Sequence, residues 1–420
     1  MKAKNLVLGL AVAVAAAAAL LANSGLLHSA LPGGIEDPEP LQRILPTFNF
    51  VFYTGVASWM LGATRKVFEP AKFLLRIIRS SNAAVSFPEL ESRIESITRA
   101  DGSQLTLKID APNKQQMKSQ KPSPAILFLH GGGYVLNSPA EYSYLTGNLS
   151  SSLGVPVFSP DYRKSPAWTH PAALEDALAT LRHLRSNAEA YGIDPERLLL
   201  GGDSAGGHLS IGVTLRLLQV GEAVPSALLL IYPATQLVTF CLPSHLENRF
   251  DVFLSESTAC AFRLAYLVGD TADVPVWKAS NHSSPAIRSE LAKKFGLPQL
   301  ASQCPNDIGG AGLDWAISRY EFAYRDWLLS PLFAPDELLA KFPPSLTQTC
   351  QFDVLRDEGR MFHERLVRAG AAGGSRSHRH RRYASVHGMY GFLRAGHAPA
   401  VATMDEAKTF VASVLGLDKN

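Results

Sequence analysis

The segment Gly202-Asp203-Ser204-Ala205-Gly206 constrains the fold of this chain more than any other part of the sequence. An apolar run at 198–200 precedes it, and an apolar pattern with helical spacing at 209–218 follows it. This order predicts a buried strand, a tight turn and a helix, with a serine at the turn. The flanking glycines allow the backbone to turn sharply, so the serine hydroxyl is expected at the exposed end of the strand.

A second glycine motif lies upstream, where His130-Gly131-Gly132-Gly133 follows the apolar run 125–129. Consecutive glycines leave backbone N–H groups free of side chains, which suits them to bind the oxyanion of an acyl-transfer intermediate. Together, the two motifs favour hydrolysis by an acyl-transfer mechanism more than either motif does alone.

The candidate catalytic residues are Ser204, Asp353 and His387. A serine hydroxyl is a weak nucleophile unless a base takes its proton and a third group holds that base. Of the 12 histidines, His387 lies in a glycine-containing loop after the last predicted core strand and is the candidate base. His130 is assigned to loop support and His208 to packing. Asp353 directly follows the predicted strand 346–352 and is the candidate acid.

Short apolar runs alternate with helical patterns after the N-terminal region, which predicts a mostly parallel sheet with crossover helices. With 420 residues, 46% of them hydrophobic, the chain is long enough for a substantial core. The alternation breaks down at 234–327, which is rich in aromatic residues. Such an insert forms either a subdomain core or a lid over an apolar pocket. Asp357 and Glu358 are predicted to cap the helix after Asp353 and to support that loop.

Charge and cysteine content narrow the classes of partner and cofactor. A net charge of +3 is too small to indicate nucleic-acid binding, and the glycine- and then Arg/His-rich stretch 373–382 is predicted to be a solvated loop rather than an anion or metal site. The four cysteines have no spacing typical of zinc or thioredoxin sites. No cofactor and no metal are therefore expected, and the sequence leaves open whether one or two disulfides form.

The N-terminal residues 1–23 are predicted to form a membrane anchor or a signal. Lys2 and Lys4 precede an uncharged stretch, which favours an uncleaved anchor with the catalytic domain in the secretory lumen, in the endoplasmic reticulum. Secretion after cleavage is the alternative. Asn148 and Asn281 are then candidate N-glycosylation sites.

A second uncharged stretch at 44–63 lies between acidic and basic flanks. It permits a two-span hairpin with a cytosolic catalytic domain. An amphipathic or buried helix over the active site is favoured, because proline, asparagine and glycine interrupt the stretch. The predicted organisation is therefore an anchor at 1–23, cap or membrane-proximal helices at 24–100, and a catalytic domain at 101–420 with a cap insert at 234–328.

Four motifs in order give the chain a family resemblance over about residues 120–415. They are His-Gly-Gly-Gly at 130–133, Gly-Asp-Ser-Ala-Gly-Gly at 202–207, Asp-Val-Leu-Arg-Asp-Glu-Gly at 353–359 and His-Gly at 387–388. They resemble the hormone-sensitive-lipase-like α/β-hydrolases, in particular the membrane-anchored arylacetamide deacetylase-like enzymes. The resemblance implies an α/β-hydrolase fold with Ser204 as nucleophile, Asp353 as acid and His387 as base. It implies an oxyanion hole formed by the N–H groups of Ala205 and of two among Gly131, Gly132 and Gly133. It also implies a lid built from about 37–95 and 234–328.

Two positions depart from the family pattern: Met389 replaces the usual phenylalanine after His-Gly, and the Arg/His-rich stretch looks like an insertion. The expected function is hydrolysis of apolar, small-molecule carboxylic esters through an acyl-enzyme, with no cofactor. The alternatives are a catalytically silent small-molecule-binding protein on the same fold and an acyltransferase. The sequence does not indicate an oligomeric state.

Overall fold

The computed structural model describes residues 31–43, 45, 87–113, 122–251, 253–301, 314–371 and 377–417. The predicted anchor at 1–23 lies outside these ranges, as does the stretch 44–63 apart from Leu45. In the described ranges, no helix has both the length and the apolar character needed to cross a membrane.

An eight-stranded sheet in the order β1-β2-β4-β3-β5-β6-β7-β8 forms the centre of the molecule. Its strands are β1 (Leu90–Thr98), β2 (Gln104–Pro112), β3 (Ser123–Leu129), β4 (Val157–Pro160), β5 (Ile193–Asp203), β6 (Leu228–Ile231), β7 (Ser345–Phe352) and β8 (His378–Val386). The first two strands pair antiparallel with their neighbours, and the pairs from β4 to β8 are parallel. The predicted mostly parallel sheet is confirmed.

Helices connect the parallel strands and cover both faces of the sheet. Those before β6 are α1 (Ser143–Leu153), α2 (Ala172–Ser186), α3 (Ala188–Tyr191) and α4 (Ala205–Val220). Those after β6 are α5 (Pro243–Glu247), α6 (Glu256–Val268), α7 (Val274–Lys278), α8 (Pro285–Phe295), α9 (Asp314–Arg325), α10 (Asp336–Leu339), α11 (Arg356–Ala371) and α12 (Ala398–Leu415). Short 3-10 turns occur at Pro298–Ala301, Pro331–Phe333 and Met389–Ala395. The described part of the insert 234–328 contains helices and no strand.

Alternating side chains of the central strands build two cores. On β3, Leu127 and Leu129 join the core shared with α2 and α4, whereas Ile126 and Phe128 join the core shared with α1 and α12. Because successive side chains of a strand point to opposite faces, a continuous apolar run such as β3 must be covered on both sides. The result is a three-layer arrangement of helices, sheet and helices.

Two segments differ from the sequence prediction. The Arg/His-rich stretch predicted as a solvated loop instead contributes β8, which pairs with β7 from His378 to Val386. Its alternation of half-buried His378 and His380 with exposed Arg379 and Arg381 is that of a strand with one face exposed. Arginines there also protect an edge strand from pairing with other chains. In addition, β1 lies within the segment 24–100, for which the sequence predicts cap or membrane-proximal helices, so the sheet begins earlier than predicted.

A buried carboxylate, Glu358 at the start of α11, ties the cap insert to the sheet. It accepts hydrogen bonds from Arg263 of α6 at 2.6 Å and from the Thr235 N–H at 2.8 Å, and it lies 3.0 Å from Nε2 of His245 on α5. Burial acts to raise the pKa of Glu358, but Arg263 and these hydrogen bonds outweigh it and lower the pKa to about 2. The predicted loop-support role therefore extends to holding two cap helices.

We expect Glu358→Gln to destabilise the protein by about 3 kcal/mol at neutral pH, because it leaves the Arg263 charge buried without its partner. A carboxylate with a lowered pKa stabilises the fold above its unfolded pKa of 4.5, and this stabilisation is lost as the pH falls toward about 2. The difference in the free energy of unfolding between wild type and variant should therefore be smaller at about pH 3. Urea unfolding at both pH values measures it, with exposed Glu364→Gln on the same helix as control. An equal deficit at both pH values would point to lost packing instead.

Candidate active site

Ser204 lies at the carboxyl end of β5 and immediately precedes α4. Its φ of 53° and ψ of −116° place it in the left-handed half of the backbone map, and its N–H donates to the carbonyl of Ile231 at 2.8 Å. A non-glycine residue with positive φ is held there by its surroundings, which is common at functional turns. The side chain is thereby presented at the end of the strand, although the residue is only 8% exposed.

The glycines around Ser204 serve a different purpose from the one that the sequence suggested. The positive φ belongs to Ser204 itself, and neither Gly202 nor Gly206 has one. Instead, a Cβ on Gly206 would collide with the Leu129 carbonyl, and a Cβ on Gly202 would lie 2.5 Å from the backbone of Gly206. The glycines are therefore required by the close packing of α4 against β3 and β5.

The structure brings Ser204, His387 and Asp353 together in one hydrogen-bonded chain. Nε2 of His387 lies 3.0 Å from Oγ of Ser204, and its Nδ1 lies 2.8 Å from Oδ2 of Asp353. The second oxygen of Asp353 accepts the Leu355 N–H at 2.8 Å. These residues follow β5, β8 and β7, whose parallel carboxyl ends meet at one edge of the sheet.

The charge of Asp353 prepares His387 to act as a base. Burial acts to lower the pKa of His387, but the charge and hydrogen bond of Asp353 outweigh it, so the pKa is raised. An ionised carboxylate can only accept, so Nδ1 carries the hydrogen and donates it to Asp353. This leaves the lone pair of Nε2 facing the Ser204 hydroxyl, which is the geometry that general-base catalysis requires.

The glycine loop narrows the predicted set of oxyanion donors. The N–H of Gly131 donates to Oδ1 of Asp203 at 2.7 Å and is therefore already satisfied. Gly132 and Gly133 have φ of 106° and 61°, which only glycine adopts without strain. In the described chain, no acceptor takes their N–H groups or that of Ala205, which lies in the first turn of α4. The candidate hole thus consists of Gly132, Gly133 and Ala205.

Asp203 is a buried residue of the candidate site that the sequence argument did not single out. Its buried carboxylate accepts the Gly131 N–H and the Tyr142 hydroxyl, the latter at 2.9 Å. Burial raises its pKa to about 6, although both hydrogen bonds oppose this increase. Asp203 therefore fixes the glycine loop to the strand that carries Ser204. Its position directly before the serine was the available signal.

The remaining histidines near the site have supporting contacts. The ring of His130 stacks on Tyr162 at 4.3 Å, and its Nδ1 lies 2.8 Å from the Gly131 carbonyl. Nε2 of His208 lies 3.2 Å from the Leu329 carbonyl, and burial lowers the pKa of His208 to about 4. Both contacts agree with the predicted roles in loop support and packing.

Aromatic residues of α6 cover the glycine loop. The ring of Phe262 lies so close to Gly133 that a Cβ there would collide with it. One turn further along α6, Tyr266 stacks on Tyr134 with ring centroids 3.9 Å apart. The insert therefore forms a wall directly beside the candidate oxyanion hole.

The two predicted N-glycosylation sites lie among packed residues. Asn281 is only 5% exposed, so a glycan there would displace packed residues, and Asn148 is half-buried within α1. Both sequons therefore have surroundings that disfavour a glycan.

Cys241 is disulfide-bonded, whereas Cys260 and Cys350 are buried free thiols. Across the described ranges, no group of three His, Cys, Asp or Glu side chains could hold a metal ion.

A serine, histidine and carboxylate chain at the end of parallel strands, with free N–H groups beside it, is the constellation of serine hydrolases. Known proteins share both the fold and the sequence pattern. The family model for the alpha/beta hydrolase fold matches residues 126–295 and 308–388. Arylacetamide deacetylase of Rattus norvegicus is 31% identical over 292 residues, which cover 66% of this chain and 71% of that protein.

Two further proteins extend the comparison. Ethyl acetate hydrolase of Pseudomonas putida is 33% identical over 210 residues, which cover 50% of this chain and 64% of that protein. The structure of a bacterial heroin esterase superposes with a TM-score of 0.61 at 23% identity, over 81% of this chain and 89% of that one. The chain belongs to the α/β-hydrolase family, in the group that includes the arylacetamide deacetylases.

Proposed function

We propose that this protein is a serine-dependent carboxylic ester hydrolase with Ser204 as nucleophile, His387 as base and Asp353 as acid. The observation that carries the proposal is the hydrogen-bonded chain of 3.0 Å and 2.8 Å that joins these three side chains. The names of the relatives, a deacetylase and an ethyl acetate hydrolase, support ester hydrolysis. No cofactor is needed for this chemistry.

In the acylation step, Oγ of Ser204 attacks the ester carbonyl while Nε2 of His387 takes its proton. The carbonyl π-bond opens, and the oxyanion accepts hydrogen bonds from the N–H groups of Gly132, Gly133 and Ala205. Asp353 remains ionised and stabilises the imidazolium. The tetrahedral intermediate then collapses, and the alkoxide leaves with the proton from Nε2. An acyl-enzyme on Ser204 remains.

Deacylation repeats the same proton transfers with water as nucleophile. His387 removes a proton from water, the hydroxide adds to the acyl carbonyl, and Ser204 leaves with the proton returned by the imidazolium. An alcohol in place of water would make the enzyme an acyltransferase, and product analysis with an alcohol acceptor distinguishes the two. A silent binding protein on this fold is disfavoured, because all three catalytic side chains are present at hydrogen-bonding distances.

We expect the full-length protein to react covalently with a fluorophosphonate probe, and Ser204→Ala to abolish labelling. The same variant should lower kcat/KM for p-nitrophenyl acetate by about 10⁴-fold or more, because no other group replaces the nucleophile. Gel fluorescence and initial rates measure these outcomes, with buried Ser210→Ala on the same helix as control. If Ser204→Ala retained labelling and activity, the assigned nucleophile would be wrong.

The wall formed by α6 supports a preference for short or medium acyl groups. Phe262 lies against Gly133, and the stacked pair of Tyr134 and Tyr266 continues the aromatic surface. Aromatic side chains favour apolar substrates, and their bulk limits the room beside the oxyanion donors. The substrate class proposed is therefore a small apolar ester.

We expect kcat/KM to fall along the series p-nitrophenyl acetate, butyrate and palmitate. Phe262→Ala should raise kcat/KM for the longest ester by about tenfold relative to acetate, since it opens the wall beside Gly133. Phe322→Ala, on the exposed face of α9, is the matched control. An unchanged acyl-length profile in Phe262→Ala would remove Phe262 from the acyl-binding region.

Residues 1–23 are proposed to anchor the protein in the membrane of the secretory pathway, with the catalytic domain in the lumen. The uncharged stretch after Lys2 and Lys4 supports the anchor and its orientation. The disulfide-bonded state of Cys241 supports the lumenal side, because disulfides persist in oxidising compartments.

In microsomes, we expect the protein to stay in the pellet after alkaline carbonate extraction and to resist added protease until detergent opens the vesicles. Deletion of residues 1–23 should remove the carbonate-resistant association. A cytosolic reporter and a resident lumenal protein serve as controls in the same vesicles. Digestion of the catalytic domain in intact vesicles would instead support the two-span arrangement with a cytosolic domain.

A further inference from the structure

Asp251, in the segment between α5 and α6, is a buried carboxyl that the mechanism above does not use. It is 9% exposed, and its Oδ1 accepts the N–H of Phe253 at 3.1 Å. Its Oδ2 is buried and has no hydrogen-bond partner in the described part of the chain. Burial of a polar atom without a partner costs free energy, so such an atom in a native fold needs an explanation.

Two contacts place Asp251 beside the catalytic loops. On one side, its N–H donates to the carbonyl of Asn248 at 2.8 Å, and Nδ2 of Asn248 donates to the backbone carbonyl of Asp353 at 3.2 Å. On the other side, Phe253 packs edge-on against Phe392 with ring centroids 4.9 Å apart. Phe392 belongs to the turn that follows His387. Asp251 is thus held between the loop of the acid and the loop of the base.

The same apolar cluster links all three segments. Phe253 and Phe352 pack against the buried residues Val386 and Phe392. Phe352 directly precedes Asp353, and Val386 directly precedes His387. The backbone on which Asp251 lies is therefore fixed relative to both catalytic side chains.

The charged groups that act on Asp251 are those of the catalytic chain. Burial raises the pKa of Asp251 to about 8, and the charge of Asp353 also raises it. The backbone N–H groups of Phe253 and Leu254 and the charge of His387 lower it. In turn, Asp251 and Asp203 add to the effect of Asp353 in raising the pKa of His387. The neutral Cys350 thiol on β7 also faces Asp251 and Asp353.

We propose that Asp251 is a second carboxyl for His387, a positioning residue that stabilises the imidazolium and partly replaces Asp353 when that side chain is lost. The inference rests on the proposed function, because the imidazolium forms only when Ser204 transfers its proton. The Ser204 proton still goes to Nε2, and Asp251 exchanges its own proton only with solvent. Its contribution is therefore electrostatic and grows as its carboxyl ionises.

The first test is the pH dependence of Asp251→Asn, which keeps the shape of the side chain and removes its charge. Wild-type kcat/KM for p-nitrophenyl acetate should rise by about tenfold as Asp251 ionises around its pKa, the size of effect expected for opposite charges several ångströms apart in a protein. The variant should lack this rise and keep only the one that comes from deprotonation of His387 itself. Asp405→Asn, on the exposed face of α12, is the control and should keep it.

Stability distinguishes this role from a structural one. A carboxyl with a raised folded pKa destabilises the fold when it is ionised, so the wild type loses stability as the pH rises from 3.8 toward about 8. Asp251→Asn should therefore unfold at higher urea than the wild type above about pH 8, while being less active there. A structural residue would lose stability and activity together.

The second test combines variants of both carboxyls. Asp353→Ala should lower kcat/KM by less than the factor of about 10⁴ that is typical of a missing triad acid. Adding Asp251→Asn should then remove the activity that remains. The loss caused by Asp251→Asn should thus be larger in the Asp353→Ala background than in the wild type. The inference would be overturned if the kcat/KM losses of the two single variants simply multiplied in the double variant. An unchanged pH profile in Asp251→Asn would also overturn it. An inactive wild type would instead overturn the proposed function.

Discussion

The register of the last two parallel strands, β7 and β8, is the constraint on which the proposed catalytic site depends. Phe352 of β7 is paired with Val386 of β8, and each is the last residue of its strand. Asp353 and His387 directly follow them. The pairing of the strands therefore brings these two side chains within hydrogen-bonding distance, 2.8 Å, one residue beyond the last strand pair. Because side chains alternate between the two faces of a sheet, a slip of one residue would turn the acid and the base away from each other.

An irregularity within β8 sets this register. Cys350 pairs with Tyr383, and Phe352 pairs with Val386. Between these two pairs, β8 contains one more residue than β7. An extra residue in one strand reverses the alternation beyond it and redirects the following side chains, as β-bulges near active sites do. The Arg/His-rich segment thus has a physical role: it forms the edge strand that delivers His387 to the carboxyl end of the sheet.

Local signals explain which features were predictable from sequence. The apolar runs before Gly131 and Ser204 and the helical spacing after Ser204 are continuous in the chain, so they identified β3, β5 and α4. The position directly after a predicted strand identified Asp353, the glycine-containing loop identified His387, and the family resemblance implied the same roles for both. By contrast, β8 carries basic residues at most positions, and its strand character comes from pairing with β7, which is a non-local contact. Asp251 lies in an insert without periodicity, and the non-local contacts of Phe253 and Asn248 place it beside the site.

The segment from Asp353 to Glu358, which runs from the end of β7 into the first turn of α11, joins the proposed chemistry of the site to the position of the cap. Its first residue orients His387, and its last residue holds Arg263 and His245 of the cap helices through a buried charge. Arg263 directly follows Phe262, whose ring lies against the oxyanion glycine Gly133. A displacement of α6 would therefore strain the buried ion pair, and a change at Glu358 would alter the wall beside the oxyanion donors. One short segment thus carries both the proposed catalytic acid, Asp353, and the carboxylate that holds the helix forming the proposed substrate wall, so in the proposed mechanism the positions of the two are linked through the backbone from Asp353 to Glu358.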